Sequence, residues 1–334
     1  MDTYRKENQP QKNFFDLSLY IMFFPQLVAG PIVKYHDIAE QLSSRNNSWQ
    51  NYICGIRRFI YGLAKKVLIA NQMAYLADEI FQIPGSVLDS KTAWLGIVAY
   101  SLQIYFDFSG YSDMAIGLGR MLGFKFKENF NLPYISRSIQ EFWRRWHISL
   151  SSWFKEYLYI PLGGSRVSEK RTCINLMIVF IVTGIWHGAG LNFVLWGAYY
   201  GILLILERWQ LKKILEKPLF YPFAHIYTLL AVMVGWVFFR AETLPEAWIY
   251  CTKMFSFTNN EALILQELLT LPLVMLILAA MLFAGPIPLL KCFSKEIDRE
   301  NTRWYDFIVQ PVLLTAVLIL LAGNTYNPFI YFRF

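Results

Sequence analysis

CINLMIVFIVTGIWHGAGLNFVLWGAYYGILLIL, residues 173–206, holds two apolar runs without a single charge, Cys173–Trp186 and Asn192–Leu206, joined by His187–Leu191. Several other windows of roughly twenty residues are almost purely apolar, enough to cross a ~30 Å hydrocarbon core as helices. The whole chain agrees: 55% of its 334 residues are hydrophobic, 17% aromatic and 16% charged, against about 25% charged in an ordinary soluble domain. Backbone groups in lipid must be satisfied within their own segment, which favours helices. The period-2 alternation of a transmembrane β-barrel is absent. The expected fold is therefore all-α, a polytopic transmembrane helical bundle with interfacial or re-entrant helices.

Outward from that pair, the expected membrane segments are Phe14–Val33, Ile56–Leu76, Ala93–Leu118, Leu219–Phe239, Ile264–Leu289 and Phe307–Ala322. The second carries Lys65 and Lys66 and reads equally as an interfacial amphipathic helix. Cations cluster in three loops, with ten in 120–171, four in 207–218 and four in 290–304. Pairs of spans separate these loops, so they share a side, and the positive-inside rule makes that side cytoplasmic. His187 then falls near the outer end of its helix and the C-terminal tail lies outside. The net charge of +7 follows from these loops and does not call for nucleic acid. The polar N-terminus, MDTYRKENQPQKN, lacks the layout of a secretory signal. Cys54, Cys173, Cys251 and Cys292 are scattered, with neither metal-site nor disulfide spacing. With no repeat and no soluble module, residues 1–334 read as a single membrane domain.

Four stretches could carry chemistry. SIQEFWRRWHISLSSWFKEYLYI (Ser138–Ile160) opens on Ser138 and Glu141, the spacing of a capping box, and ends before Pro161. Phe142, Trp146, Leu150, Trp153 and Tyr157 recur at helical spacing, so an interfacial helix anchored by aromatic rings and arginines explains most of it. His147 lies on the flank of that stripe, directed inward or toward a cavity. PLGGSR (Pro161–Arg166) reads mainly as a turn, with a phosphate-binding loop as the alternative. In Ala99–Arg120, Asp107 and Asp113 are ionisable groups in an apolar helix, where pairing or function is the rule. Asp113 shares a face with Arg120, and pairing with it or with the 120–171 loop is expected; Gly110, Gly117 and Gly119 allow close helix approach. His36 and His225 need only interfacial packing.

His187 is the sharpest of the four. Gly188, Ala189 and Gly190 leave room beside it for another molecule. It reads either as a satisfied histidine bridging two helices or as a general base, since burial keeps an imidazole neutral and able to take a hydroxyl proton. No nucleophile elbow and no metal-ligand cluster accompanies it, so direct transfer is simpler than a covalent intermediate.

FFPQLVAGPIVKYHDI (Phe23–Ile38), FDFSGYSDMAIGLGRMLGFKFKENFNLPY (Phe106–Tyr134), EFWRRWHISLSSWFKEYLYIPLGGSR (Glu141–Arg166) and GIWHGAGLNFVLWG (Gly184–Gly197) together resemble the membrane-bound O-acyltransferase family, in its bacterial alginate O-acetyltransferase branch. The resemblance implies transfer of an acetyl group from a cytoplasmic thioester to a hydroxyl on the outer side. The acceptor would be an exported, alginate-like polysaccharide or an extracytoplasmic esterase-like partner. It implies His187 and His147 as the catalytic pair, with His187 as base and His147 toward the donor, and acetyl-coenzyme A or another acyl thioester as donor substrate. No bound cofactor or metal is expected. Arg144, Arg145 and Arg166 are the candidates to attract the donor's phosphates. The family has further helices before the first matching block, so a truncated chain is also expected. The alternatives are a polytopic transporter or flippase, whose repeated halves are not visible, and an inactive fragment.

Overall fold

A computed structural model describes residues 2–6, 9–27, 30–45, 47–256, 263–285, 303–323 and Phe329. Among them every regular element is a helix. In chain order these are α1 (Phe14–Met22), α2 (Tyr35–Ser43), α3 (Trp49–Ala64), α4 (Asn71–Phe81), α5 (Ser90–Met121), α6 (Ile139–Arg145), α7 (Ile148–Phe154) and α8 (Glu169–His187). Then follow α9 (Leu191–Leu206), α10 (Lys212–Leu215), α11 (Tyr221–Arg240), α12 (Leu244–Met254), α13 (Leu263–Leu268), α14 (Leu271–Ala284) and α15 (Asp306–Gly323). Three π-helical insertions, Lys65–Ala70, Lys155–Tyr159 and Glu207–Leu211, extend α3, α7 and α9.

Two helical segments, Pro218–Arg240 and Asp306–Gly323, are both long and apolar enough to cross a membrane, and Leu271–Ala284 is a shorter apolar helix. Each helix turns large apolar side chains outward: Phe223 on α11, Leu271 and Met275 on α14, and Phe307, Val312 and Ile319 on α15 are all more than half exposed. Exposed apolar side chains in such number on one helix suit contact with another apolar phase.

Several expected spans differ from the structure. Phe14–Val33 is not one helix: α1 ends at Met22, Phe23 is extended, and a short 3₁₀ turn carries Pro25. Proline removes a donor and disfavours the helical region for the residue before it. Ile264–Leu289 divides at an extended Thr270, with Pro272 in the first turn of α14, where a missing N–H costs nothing. Residues 286–302 and the tail from 324, apart from Phe329, lie outside the described residues, as do the loop charges and Cys292 assigned there; Cys54, Cys173 and Cys251 are free thiols.

The chain divides into two compact units. The first comprises Met1–Leu68, Phe108–Asn129 and Cys292–Tyr326. In it Phe23, Ile38, Leu42, Ile116, Phe124 and Phe126 form one apolar cluster, and Ala64, Val67 and Val317 another. The last half of α5 lies against α3 through paired glycines. A Cβ on Gly62 would stand 2.5 Å from the Gly110 carbonyl, and one on Gly55 2.6 Å from that of Gly117, so only glycine permits this backbone approach. That proximity lets α3 meet the acid on α5. Arg58 donates to Asp113 Oδ1 at 2.9 Å and to Glu128 Oε1 at 2.6 Å, and Lys65 pairs with Asp113 from its other side. Asp113 therefore pairs with cations of α3 and its π insertion, not with Arg120 or the 120–171 loop as its spacing suggested. Arg57 and Asp306, both fully buried, pair at 3.4 Å.

The second unit comprises Ile69–Asp107, Phe130–Lys291 and Asn327–Phe334, and it holds all the candidate site residues. Its frame is the antiparallel pair α8 and α9, which the sequence places correctly. A Cβ on Gly184 would stand 2.2 Å from the Phe193 carbonyl, and one on Gly197 2.2 Å from that of Phe180. Asn192 Nδ2 donates to the Ala241 carbonyl at 3.0 Å, tying the start of α9 to the end of α11.

Candidate active site

The expected single helix over Ser138–Ile160 is two short helices with His147 at the break. Trp146 N–H donates to Phe142 O at 2.8 Å and closes α6, and Ser151 N–H donates to His147 O at 3.0 Å and opens α7. His147 itself holds φ 44°, ψ 55°, the left-handed region that costs an L-residue other than glycine about 1–2 kcal/mol. Strain of this kind persists where the surroundings over-determine it, and it is common at functional sites. The break carries the imidazole inward: His147 is 3% exposed, with Nδ1 3.4 Å from Ser149 Oγ.

The break is held from both sides. At the start of α6, Ser138 Oγ accepts from Glu141 N–H at 3.0 Å, as its cap spacing suggested, but Glu141 bonds Arg137 N–H and so does not close the box. A distant carboxylate does the rest. Glu207, in the π insertion after α9, accepts from Ile139 N–H at 2.6 Å and Gln140 N–H at 3.0 Å, so three of the four orphan donors of the first turn are satisfied. Burial pushes the Glu207 carboxyl up from its ordinary value, against those two N–H donors. At the other end, Arg145 donates to Glu141 Oε1 at 2.9 Å and to the Asn131 carbonyl at 3.0 Å.

His187 ends α8. Its ring stands edge-on to Trp186, Trp196 and Phe239 at 4.9, 5.2 and 5.1 Å. From Phe239 the rings continue through Trp236 (5.6 Å) to Trp146 (4.9 Å), the residue before His147. Burial, and to a smaller extent the charge of His187, hold His147 well below the usual imidazole range. Trp236 and Tyr134 brace the row: the Trp236 indole donates to Tyr134 Oη at 3.2 Å, and Tyr134 donates to the Ser101 carbonyl at 2.6 Å.

The three candidate arginines part company. Arg144 lines a cleft of about 580 Å³ with Arg137, Arg208, Glu141, Glu207 and Tyr221. Arg145 is engaged in the clamp just described. Arg166 is exposed beyond a turn whose amides are spent on the preceding helix: Gly163 N–H bonds Ile160 O and Gly164 N–H bonds Tyr159 O. With φ of 103° and 56° at the two glycines, this is a helix-ending turn, and it leaves little for a phosphate. His225 Nδ1 lies 3.1 Å from the Ser136 carbonyl, and His36 lies 3.3 Å from Asp37. Among the described residues no three His, Cys, Asp or Glu side chains gather as metal ligands would. Sequence reading missed Glu207, Trp196 and Trp236. Only Glu207 gave a signal, as an acid placed directly after an apolar run.

Residues 4–242 match MBOAT, the membrane-bound O-acyltransferase family, a range that includes both histidines. The chain is 39% identical over 366 residues to a probable alginate O-acetylase AlgI of Azotobacter vinelandii, covering all of this chain and 72% of that protein. A probable alginate O-acetylase AlgI of Pseudomonas aeruginosa is 46% identical over 257 residues, which is 77% of this chain and 49% of the relative. A peptidoglycan O-acetyltransferase of Helicobacter pylori is 45% identical over 240 residues, 70% of this chain and 45% of the relative.

Proposed function

The chain belongs to the membrane-bound O-acyltransferase family, and from that premise we propose that it moves an acetyl group from a cytoplasmic thioester to a hydroxyl on the outer side of a bacterial inner membrane, which it crosses several times as one membrane domain. The acceptor is an exported polysaccharide of the alginate class or an extracytoplasmic esterase-like partner that passes the group on. Relatives named for alginate and for peptidoglycan support an O-acetyl transfer onto a polysaccharide. The donor is acetyl-coenzyme A or another acyl thioester, with Arg144 as the arginine best set to meet its phosphates.

The observation that carries this reading is the position of His187. It sits at a glycine-flanked helix end against Trp186, Trp196 and Phe239, and a row of rings runs from Phe239 through Trp236 to Trp146, the residue before His147. A thioester carbonyl is already reactive, but a sugar hydroxyl must lose its proton as it attacks. A neutral imidazole takes that proton. His147, fixed by its backbone break, orients the donor end. His187→Ala, in cells expressing the protein, is expected to abolish acetylation of the exported polymer while its amount in the membrane stays unchanged. Normal acetyl content in that strain would remove His187 from the reaction.

A further inference from the structure

A ring against His187, Trp196, and a ring packed on that one, Trp143, carry donors with no partner among the described residues. Trp196 is 1% exposed, and its indole nitrogen has no hydrogen-bond partner among the described residues. The indole nitrogen of Trp143, on a ring 5.6 Å away and nearly perpendicular, is likewise buried and unpaired. Other indoles of the same unit find acceptors: Trp236 bonds Tyr134 Oη, and Trp94 donates to the Met254 carbonyl at 2.7 Å. An unsatisfied buried donor carries the full desolvation cost of its N–H. An orphaned indole directly beside a candidate base, as Trp196 is, offers a place for an acceptor atom that arrives with a ligand. Trp196 is the better placed, its ring 5.2 Å from that of His187.

We propose that the Trp196 indole N–H binds the carbonyl oxygen of the acyl thioester and stabilises the oxyanion formed when the acceptor attacks, with Trp143, packed on Trp196, a second donor. This rests on the function proposed above. In the step, the acceptor hydroxyl oxygen bonds the carbonyl carbon while its proton passes to the imidazole, and the carbonyl π electrons move onto oxygen. The oxyanion then collapses, the C–S bond breaks, and the thiolate takes the proton back from the imidazolium. One ester and one thiol result, and the indole keeps its own proton throughout. A neutral donor suits an apolar enclosure, because it stabilises developing charge without the desolvation cost of a buried cation.

The test uses purified protein with acetyl-coenzyme A as donor and an alginate oligosaccharide as acceptor, following thiol release. Position 196 is changed to Phe, or to 3-benzothienylalanine, which keeps the two-ring shape and replaces N–H by sulfur. Loss of one oxyanion donor is expected to lower kcat by about 10²–10³ with the KM for acetyl-coenzyme A and the unfolding midpoint unchanged. An unchanged kcat in the benzothienylalanine protein overturns the proposal, as does a rate loss fully accounted for by loss of folded protein. His187→Ala runs in parallel. If it is inactive while the position-196 variants are fully active, only the Trp196 proposal falls. Full activity of His187→Ala, or no thiol release by the unsubstituted protein, counts against the underlying function.

Discussion

Around Asp113 the buried charges meet opposite charges, whereas around His187 the buried polar groups are set among rings, and two indoles find no acceptor. Both regions place expensive groups out of water, yet they solve the cost differently. Arg58, Asp113, Lys65 and Glu128 compensate one another, which explains their presence as structure and leaves no vacancy of charge. Beside His187 the Trp196 donor is unsatisfied, a deficit that the proposed acyl carbonyl would relieve.

This contrast can be broken experimentally. Asp113→Ala leaves the part-buried Lys65 without its counter-charge and the buried Arg58 with Glu128 alone, and is expected to cost about 2–3 kcal/mol. Unfolding in detergent reads that loss, and adding Lys65→Met should recover part of it. A cost near zero would mean that the network is solvated. Gly184→Ala places a methyl group against the Phe193 carbonyl and is expected to destabilise by about 1–3 kcal/mol, with acetylation falling as α8 and α9 part. If stability is unaffected, the helices are looser than the glycines indicate.

The smallest effect concerns His147, whose folded pKa is depressed by burial. The unfolded chain takes up the proton near pH 6.5 and the folded one resists it, so stability is retained above about pH 6.5 and declines as pH falls below it. His147→Asn, which cannot titrate and tolerates the left-handed backbone, should flatten that decline. An unchanged acid limb would assign it to other groups.

Much of the helical layout was legible, and the reason differs from element to element. Cys173–Trp186 and Asn192–Leu206 appear as α8 and α9 because an uninterrupted apolar run needs no partner to choose the helix. The Ser138 cap was readable because capping is local. Phe14–Val33 failed at Pro25, where a turn-forming residue sat within an otherwise apolar window. The break at His147 had no local signal: WRRWHIS has helical spacing throughout, and the left-handed residue is imposed by what surrounds it. The partners of Asp113 were missed because spacing along α5 pointed to Arg120, while the cations that reach it lie fifty residues away on α3.

By itself the sequence determined the helical class, the apolar runs and the two histidines, since hydropathy and residue type are properties of the chain alone. Only the tertiary structure decided that Glu207 caps α6, that the backbone turns at His147, and that Trp196 stands beside His187 with its N–H unspent. Those facts depend on distances between segments far apart in the chain, which burial and hydrogen bonding settle only once the helices have packed.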